Sequence, residues 1–363
     1  MNYSILHVIT TIDLGGAEKQ LLTLAACQKE AGFDVEVIFL KDKPTLLQDF
    51  LGLDVKVDLD FAQLGFLKQW FKLKRREFQE NSVVHAHLPR AELLCALSLK
   101  PKSFIVTRHN SEAFFTKCPA IISKLLSRFV LRRSFASISI SKAVANYLKT
   151  SGEMSGKQNN HVIYYGIKDT SVSSRSYPLV VSRPILLGTV SRLVPQKNIP
   201  LLLGALKELN SQASPGFNLT IVGCGPLEAN LLSLSADLGI EKMVTWKGQL
   251  QEVLSFYRSL DVFVLPSDYE GFGLVLLEAM SQGVPVIARR ISAIPEVMGE
   301  KHPGLLDSTN PLDLALKIQE LISDQNTMRS YLQYQALRLG EFPIEKSQRE
   351  HERLYLSLLK QTK

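Results

Sequence analysis

The chain has 363 residues, 45% hydrophobic and 21% charged, with a formal net charge of +7. That length exceeds one ordinary core and suits two domains, and no run reaches the roughly 18 uninterrupted apolar residues of a transmembrane helix. Four scattered cysteines (Cys27, Cys95, Cys118, Cys224), with no CxxC pair and no histidine at metal spacing, argue against a disulfide framework and point to a reducing cytosol.

Residues 4–10 are a β-rich run with no cationic leader before them, so they read as a first strand and not as an export signal. Gly15 and Gly16 then open a helix ending near Ala31 and Gly32, where paired glycines allow backbone amides to approach a phosphate closely. Residues 34–40, 83–87, 104–107 and 137–140 continue as strands, with a helix from Ser141. Nearly continuous apolar strands alternating with helices indicate a parallel sheet covered on both faces. His85 and His87 stand at a strand end with HxH spacing, but no third ligand lies at suitable spacing, so they read as structural or cleft-lining. His109 follows a buried strand, where a side chain can reach a substrate. Asp58 and Asp60 form a DxD without a nucleotide-binding unit around it and read as solvated loop acids.

Charge is uneven. Residues 61–135 hold 14 basic and 4 acidic side chains, a net +10, whereas residues 171–363 balance at 19 against 19. Lys68, Lys72, Lys74, Arg75 and Arg76 flank Trp70 and Phe71. In a second cluster, Lys117, Lys124, Arg128, Arg132 and Arg133 interleave with Ile121, Ile122, Leu125, Leu126, Phe129 and Val130 at helical spacing. Such helices suit an anionic membrane surface. The bland alternative packs the apolar face on the sheet and leaves the cations in water. No nucleic-acid-reading motif accompanies the charge, so nucleic acid is not expected as a partner.

Residues 171–183, poor in hydrophobics and rich in turn formers, read as a linker. The grammar then restarts, with strands at 185–190, 219–222, 244–246, 262–265 and 284–288 and helices at 199–209, 227–238 and 274–282. Arg192 and Lys197 share the loop after the first of these strands and can grip a diphosphate as a planar fork and a point charge. Gly223, Gly225 and Pro226 form a GxG turn that lacks the third glycine of a dinucleotide fingerprint. It suits a backbone closing over a nucleoside, with a purely structural turn as the competitor. Between the strand at 262–265 and the helix at 274–282, Glu270 and Glu278 flank a turn containing Phe272, Gly273 and Leu274. Helix-start amides attract a phosphate and ionised carboxylates accept sugar hydroxyls, so the ligand expected is a nucleotide sugar held in a cleft between two α/β units.

Taken in this order, Gly15 to Glu18, His109, Arg192 with Lys197, Gly223 to Pro226 and Glu270 to Glu278 resemble the large family 4 of retaining glycosyltransferases. The likeness continues through Gly283 and Pro285. It implies the α/β GT-B fold of two Rossmann-like domains. Residues 1–170 would be the acceptor-binding domain, residues 184–344 the nucleotide-sugar-binding domain, and a helix at 345–363 would pack back on the first. It implies that Glu270 binds the donor sugar, Glu278 the ribose, and Arg192 and Lys197 the leaving diphosphate. Amides of Gly15, Gly16, Phe272, Gly273 and Leu274 would assist them. His109 would lie near the reacting carbon, and Gly225 and Pro226 would border the base. No cofactor and no metal are expected.

The activity expected is transfer of a hexosyl group from a nucleotide diphosphate sugar, with UDP favoured, to a lipid-linked or saccharide acceptor in cell-surface polysaccharide assembly. The enzyme is expected in the cytoplasm, peripheral on the inner membrane. A sugar-nucleotide epimerase and an inactive binding subunit are the alternatives, and a dehydrogenase is disfavoured by the missing glycine. Tyr165 before Gly166, Ser191 before Arg192 and Ala293 before Ile294 depart from the family pattern and bear on local loop shape.

Overall fold

The computed structural model describes residues 3–79, 81–154, 158–168, 184–211 and 216–361. The chain divides into two compact units, one formed by Met1–Lys168 with Phe342–Lys363 and the other by Asp169–Glu341. The expected linker at 171–183 lies outside the described residues.

The first unit is built on seven strands: β1 (Ser4–Ile9), β2 (Asp34–Phe39), β3 (Lys56–Asp58), β4 (Ser82–His87), β5 (Phe104–Arg108), β6 (Ala136–Ser139) and β7 (Asn160–Val162). They form one sheet in the order β3-β2-β1-β4-β5-β6-β7, every pair parallel. Side-chain alternation divides it into two faces. Leu6, Val8, Val84, Ala86, Phe104 and Val106 belong to one core. Ile5, Val83, Ile105 and Ile138 point the other way and pack with Leu354, Tyr355 and Leu358 of the final helix, Ile344–Gln361. That helix also lies against the first helix, Gly16–Glu30.

The second unit carries β8 (Ile185–Val190), β9 (Phe217–Val222), β10 (Val244–Trp246), β11 (Val262–Leu265), β12 (Val286–Arg289) and β13 (Leu305–Leu306). Their order is β10-β9-β8-β11-β12-β13, again parallel throughout. Both sheets therefore follow the doubly wound 3-2-1-4-5-6 order, whose ligands sit beyond the carboxyl ends of the strands flanking the switch point. Those strands are β1 and β4 in one unit and β8 and β11 in the other. Most expected strands match to within a residue or two; β9 starts at Phe217 and not at Leu219, and β12 starts at Val286 and not at Val284. Gln335 explains the second offset, since its amide donates to the Val284 carbonyl (2.9 Å) and its oxygen accepts from the Val286 amide (2.9 Å), replacing ladder bonds at the strand's entry. Among the described residues no helix is long and apolar enough to cross a membrane.

Candidate active site

In the second unit, Arg192, Lys197, Gly223, Gly225, Pro226, Glu270 and Glu278 all follow the carboxyl end of β8, β9 or β11. Arg192 is exposed, and Lys197 ends a short 3-10 turn, Pro195–Lys197. Asn198 follows in the left-handed region (φ 44°) and donates to Asp268 (3.0 Å), which is also paired with Arg289. The Asp268 amide donates to the Gln196 carbonyl (2.8 Å), while Gln196 Nε2 donates to the Tyr269 carbonyl (2.8 Å). The β8 and β11 loops are thus tied together, and the tie places Lys197 Nζ 2.6 Å from Glu270 Oε1. Ser267 Oγ donates to the same oxygen (2.7 Å). Glu270 is buried and Lys197 partly so, so the pair is shielded from water and each charge depends on the other.

Past Glu270 the chain needs a left-handed residue to enter a helix, and Gly273 (φ 95°) supplies it. The helix Leu274–Ser281 starts there without a side-chain cap, so its first amides are available to a ligand. Glu278 is one turn further on, and its Oε2 accepts from the Tyr257 hydroxyl (2.8 Å). Burial first, and then the Glu278 carboxylate, hold the Tyr257 phenol well above its ordinary range, so it remains a donor.

The GxG turn has a definite steric cause. A Cβ on Gly223 would lie 1.8 Å from the Ser191 carbonyl oxygen, and one on Gly225 2.4 Å from the Leu193 oxygen. Backbone bonds join the same segments: Ser191 N to Val222 O (3.0 Å), Leu193 N to Cys224 O (2.9 Å) and Leu227 N to Leu193 O (3.1 Å). The turn therefore seats the backbone of the Arg192 loop. This favours the structural reading of the GxG; Pro226 follows directly.

In the first unit, Gly15 is the N-cap of the first helix and Gly16 its first residue. A Cβ on Gly15 would meet the Glu18 carboxylate at 2.2 Å, while nothing crowds Gly16. His109 follows β5 and is buried. Its Nδ1 is bonded to the Tyr165 hydroxyl and its Nε2 lies 3.3 Å from His87 Nδ1, so both ring nitrogens are engaged within the protein. Burial, and then the charges of His351 and Arg108, push its pKa down to about 3. Arg108 beside it is clamped between Glu92 (3.0 Å) and Glu153 (3.8 Å).

The histidines also show what spacing along the chain conceals. The β1–β4 register sets His7 opposite His85, so a third imidazole joins His85 and His87 from 78 residues upstream. One ring nitrogen from each of the three lies within 4.8 Å of those of the other two. The DxD acids have a structural role too. Asp58 closes β3 and accepts from the Asp60 amide (3.0 Å), and both carboxylates pair with Lys72 (3.5 and 3.0 Å). They are less free than solvated loop acids.

Two doubly wound units, with cations and carboxylates grouped at the strand ends of the second, define a class of two-domain α/β proteins with a charged cluster where such folds hold ligands. Comparison with known proteins gives the family. The model for glycosyltransferase family 4 matches residues 14–170 and that for glycosyl transferases group 1 matches residues 174–338. The chain belongs to the family 4 type of glycosyltransferases and has the GT-B fold. It is 27% identical over 278 residues to an uncharacterized glycosyltransferase of Methanocaldococcus jannaschii, covering 74% of each chain. It is 26% identical over 303 residues to N-acetyl-alpha-D-glucosaminyl L-malate synthase of Bacillus anthracis, covering 78% of this chain and 77% of the other. The crystal structure of Anabaena HepE in complex with UDP-glucose superposes with a TM-score of 0.81 at 19% identity, over 98% of this chain and all of that one.

Proposed function

We propose that this glycosyltransferase moves a hexosyl group, with retention, from a UDP-sugar to a lipid-linked or saccharide acceptor in cell-surface polysaccharide assembly. The observation that carries the reading is the shielded Lys197–Glu270 pair at the joined ends of β8 and β11. On donor binding Lys197 turns from Glu270 to the diphosphate, and Glu270 turns to hydroxyls of the sugar. Each charge exchanges one partner for another, so neither is left bare. Arg192, exposed on the same loop, adds its fork to the phosphates. Together they stabilise the charge that grows on the leaving group, the largest electrostatic demand of the reaction. The helix-start amides from Gly273 onward and Glu278 hold the nucleotide end. The departing phosphate takes the acceptor's proton. UDP is favoured by the family's habit and by the ligand bound to HepE.

The reading also includes attachment to an anionic membrane by the first unit. Ile121 is 74% exposed and Ile122, Leu125 and Phe129 are also exposed on the helix Ala120–Arg133, while Leu67 (71%) and Phe71 are exposed on the helix Phe66–Lys74. Apolar side chains set among Lys68, Lys74, Lys124 and Arg132 fit a bilayer surface of opposite charge.

The test is product analysis. Purified protein is incubated with UDP-sugars and polyprenyl-diphosphate-linked or free saccharides, and the new linkage is read by NMR. An α-linked product from an α-linked donor is expected. A β-linked product, or a free epimerised nucleotide sugar, would overturn the assignment.

A further inference from the structure

Five of the chain's seven histidines (His7, His85, His87, His109 and His351) are buried together in the first unit. Register and alternation bring them there. His7 faces His85 across the β1–β4 pair, His87 lies two residues on over the same face, and β5 sets Thr107 opposite His87 with His109 just beyond. Three of them are joined end to end. His7 Nε2 is 2.9 Å from Gln28 Oε1, His7 Nδ1 is 3.0 Å from His87 Nε2, and His87 Nδ1 is 3.3 Å from His109 Nε2. His109 Nδ1 meets the Tyr165 hydroxyl.

The links can be solved one after another. A neutral imidazole has one N–H and one lone pair, and a carboxamide oxygen can only accept. His7 therefore holds its proton on Nε2 and accepts at Nδ1. His87 must then donate from Nε2 and accept at Nδ1, which requires His109 to donate from Nε2. Tyr165 donates into the remaining lone pair. With Gln28 presenting its oxygen, this is the one set of tautomers that satisfies every link; presenting its amide nitrogen to His7 instead would reverse every donor along the chain. Burial keeps the rings neutral, with His7 pushed down to about 4 and His109 to about 3.

We propose that this one-way chain, Tyr165 to His109 to His87 to His7 to Gln28, locks His109 in a single tautomer and orientation, with His87, His7 and Gln28 as its positioning residues. The inference rests on the reading of His109 as a donor-sugar residue. It adds that His109 serves the transfer without exchanging a proton, because one nitrogen accepts from Tyr165 and the other donates to His87. A fixed ring then contributes shape and a fixed dipole, which suits a reaction in which the leaving phosphate takes the proton.

The same nitrogens offer a competing use. His7, His85 and His87 are close enough for one divalent ion such as zinc. An ion held by His7 Nδ1 and His87 Nε2 would drive the His87 proton to Nδ1 and reverse the chain through His109. His85 would also have to give up a bond, to the Tyr355 hydroxyl (2.8 Å) or to Thr107 Oγ1 (2.6 Å). Chain and metal therefore demand opposite tautomers at His87 and His109.

Long-range proton–nitrogen NMR of full-length protein labelled with ring-15N histidine separates them. Nε2–H signatures at His7, His87 and His109, unchanged by an equimolar addition of zinc chloride, are expected. An Nδ1–H signature at His87 or His109, or a zinc-induced reversal, would overturn the chain. Kinetics test the positioning role. Glutamine can donate and accept as His87 does, whereas phenylalanine keeps only the ring. His87→Gln should retain most of kcat, and His87→Phe should lose about tenfold or more with donor KM little changed. Equal kcat for the two variants would remove the positioning role, and the NMR signatures of the unaltered protein decide the chain even if His87→Phe fails to fold. Absence of transfer by the unaltered protein with every donor would reject the proposed function while leaving the tautomer result standing.

Discussion

At the residue scale, the Lys197–Glu270 pair makes two substitutions informative. Glu270→Gln keeps the shape and a hydrogen-bond acceptor for Lys197 but removes the charge, and it should lower kcat about 100-fold with little change in fold. Lys197→Met removes the cation proposed to meet the leaving diphosphate. It should cost a similar factor in kcat and weaken nucleoside diphosphate binding, read by isothermal titration. Turnover within about threefold of the unaltered enzyme for both would reject these roles, since an interaction made in the transition state is worth far more. Gly225→Ala tests the seat of the Arg192 loop. With its Cβ 2.4 Å from a backbone oxygen, the loop must move, and a loss of about 3 kcal/mol in urea unfolding is expected, with weaker donor binding. Residue types at these positions were legible because charge and glycine carry chemistry on their face. The pairing of Lys197 with Glu270 was not, because it arises from bonds between two loops distant in sequence. His7 was missed for the same reason: only strand register brings it to His85.

At the element scale, long strands and many helices were readable from periodicity, and the missed strands share a cause. β3, β7 and β13 are two or three residues long, too short for an alternating pattern. The helices Pro311–Ser323 and Gln325–Leu339 went unread although their caps are plain. Asn310 Oδ1 accepts from the Leu312 amide (3.1 Å), and the Asp324 carboxylate accepts from the Asn326 and Thr327 amides (3.2 and 2.8 Å). The basic helices are where sequence and structure divide most usefully. Ile121, Ile122 and Leu125, expected on the buried face in the bland reading, are exposed, while Ser123 and Ser127 are buried. Meanwhile several cations are already committed. Arg76 pairs with Glu36 (2.6 Å), Lys72 with Asp58 and Asp60, and Arg133 donates to the Ala96 and Leu99 carbonyls (2.6 and 2.8 Å). Membrane attachment should therefore depend more on the apolar residues than on Lys72 or Arg76. Ile121→Glu with Leu125→Glu should abolish cosedimentation with phosphatidylglycerol vesicles. Arg76→Gln should reduce it only slightly. Full binding by the double variant would remove this helix from the account.

At the scale of the whole molecule, burial of histidines sets the pH dependence of stability. Burial lowers His7 and His351 to about 4, His109 to about 3 and, in the second unit, His302 to about 4. Each folded value lies below the unfolded one near 6.5, so below that pH the unfolded chain binds more protons. Stability is then complete above about pH 6.5 and falls as the pH drops towards 4, each histidine adding about 1.4 kcal/mol per pH unit to the slope. Urea unfolding between pH 7 and 4.5 should show this decline, and a flat profile would contradict the burial of the cluster.

The proposed donor site holds a nucleotide diphosphate sugar with protein cations alone. Thermal unfolding in the presence of UDP, GDP, ADP and their sugars, each with and without EDTA, tests it most directly. Selective stabilisation by UDP and a UDP-sugar, unchanged by EDTA and lost in Lys197→Met, is expected. Stabilisation by none of them, or only with a divalent metal added, would contradict it.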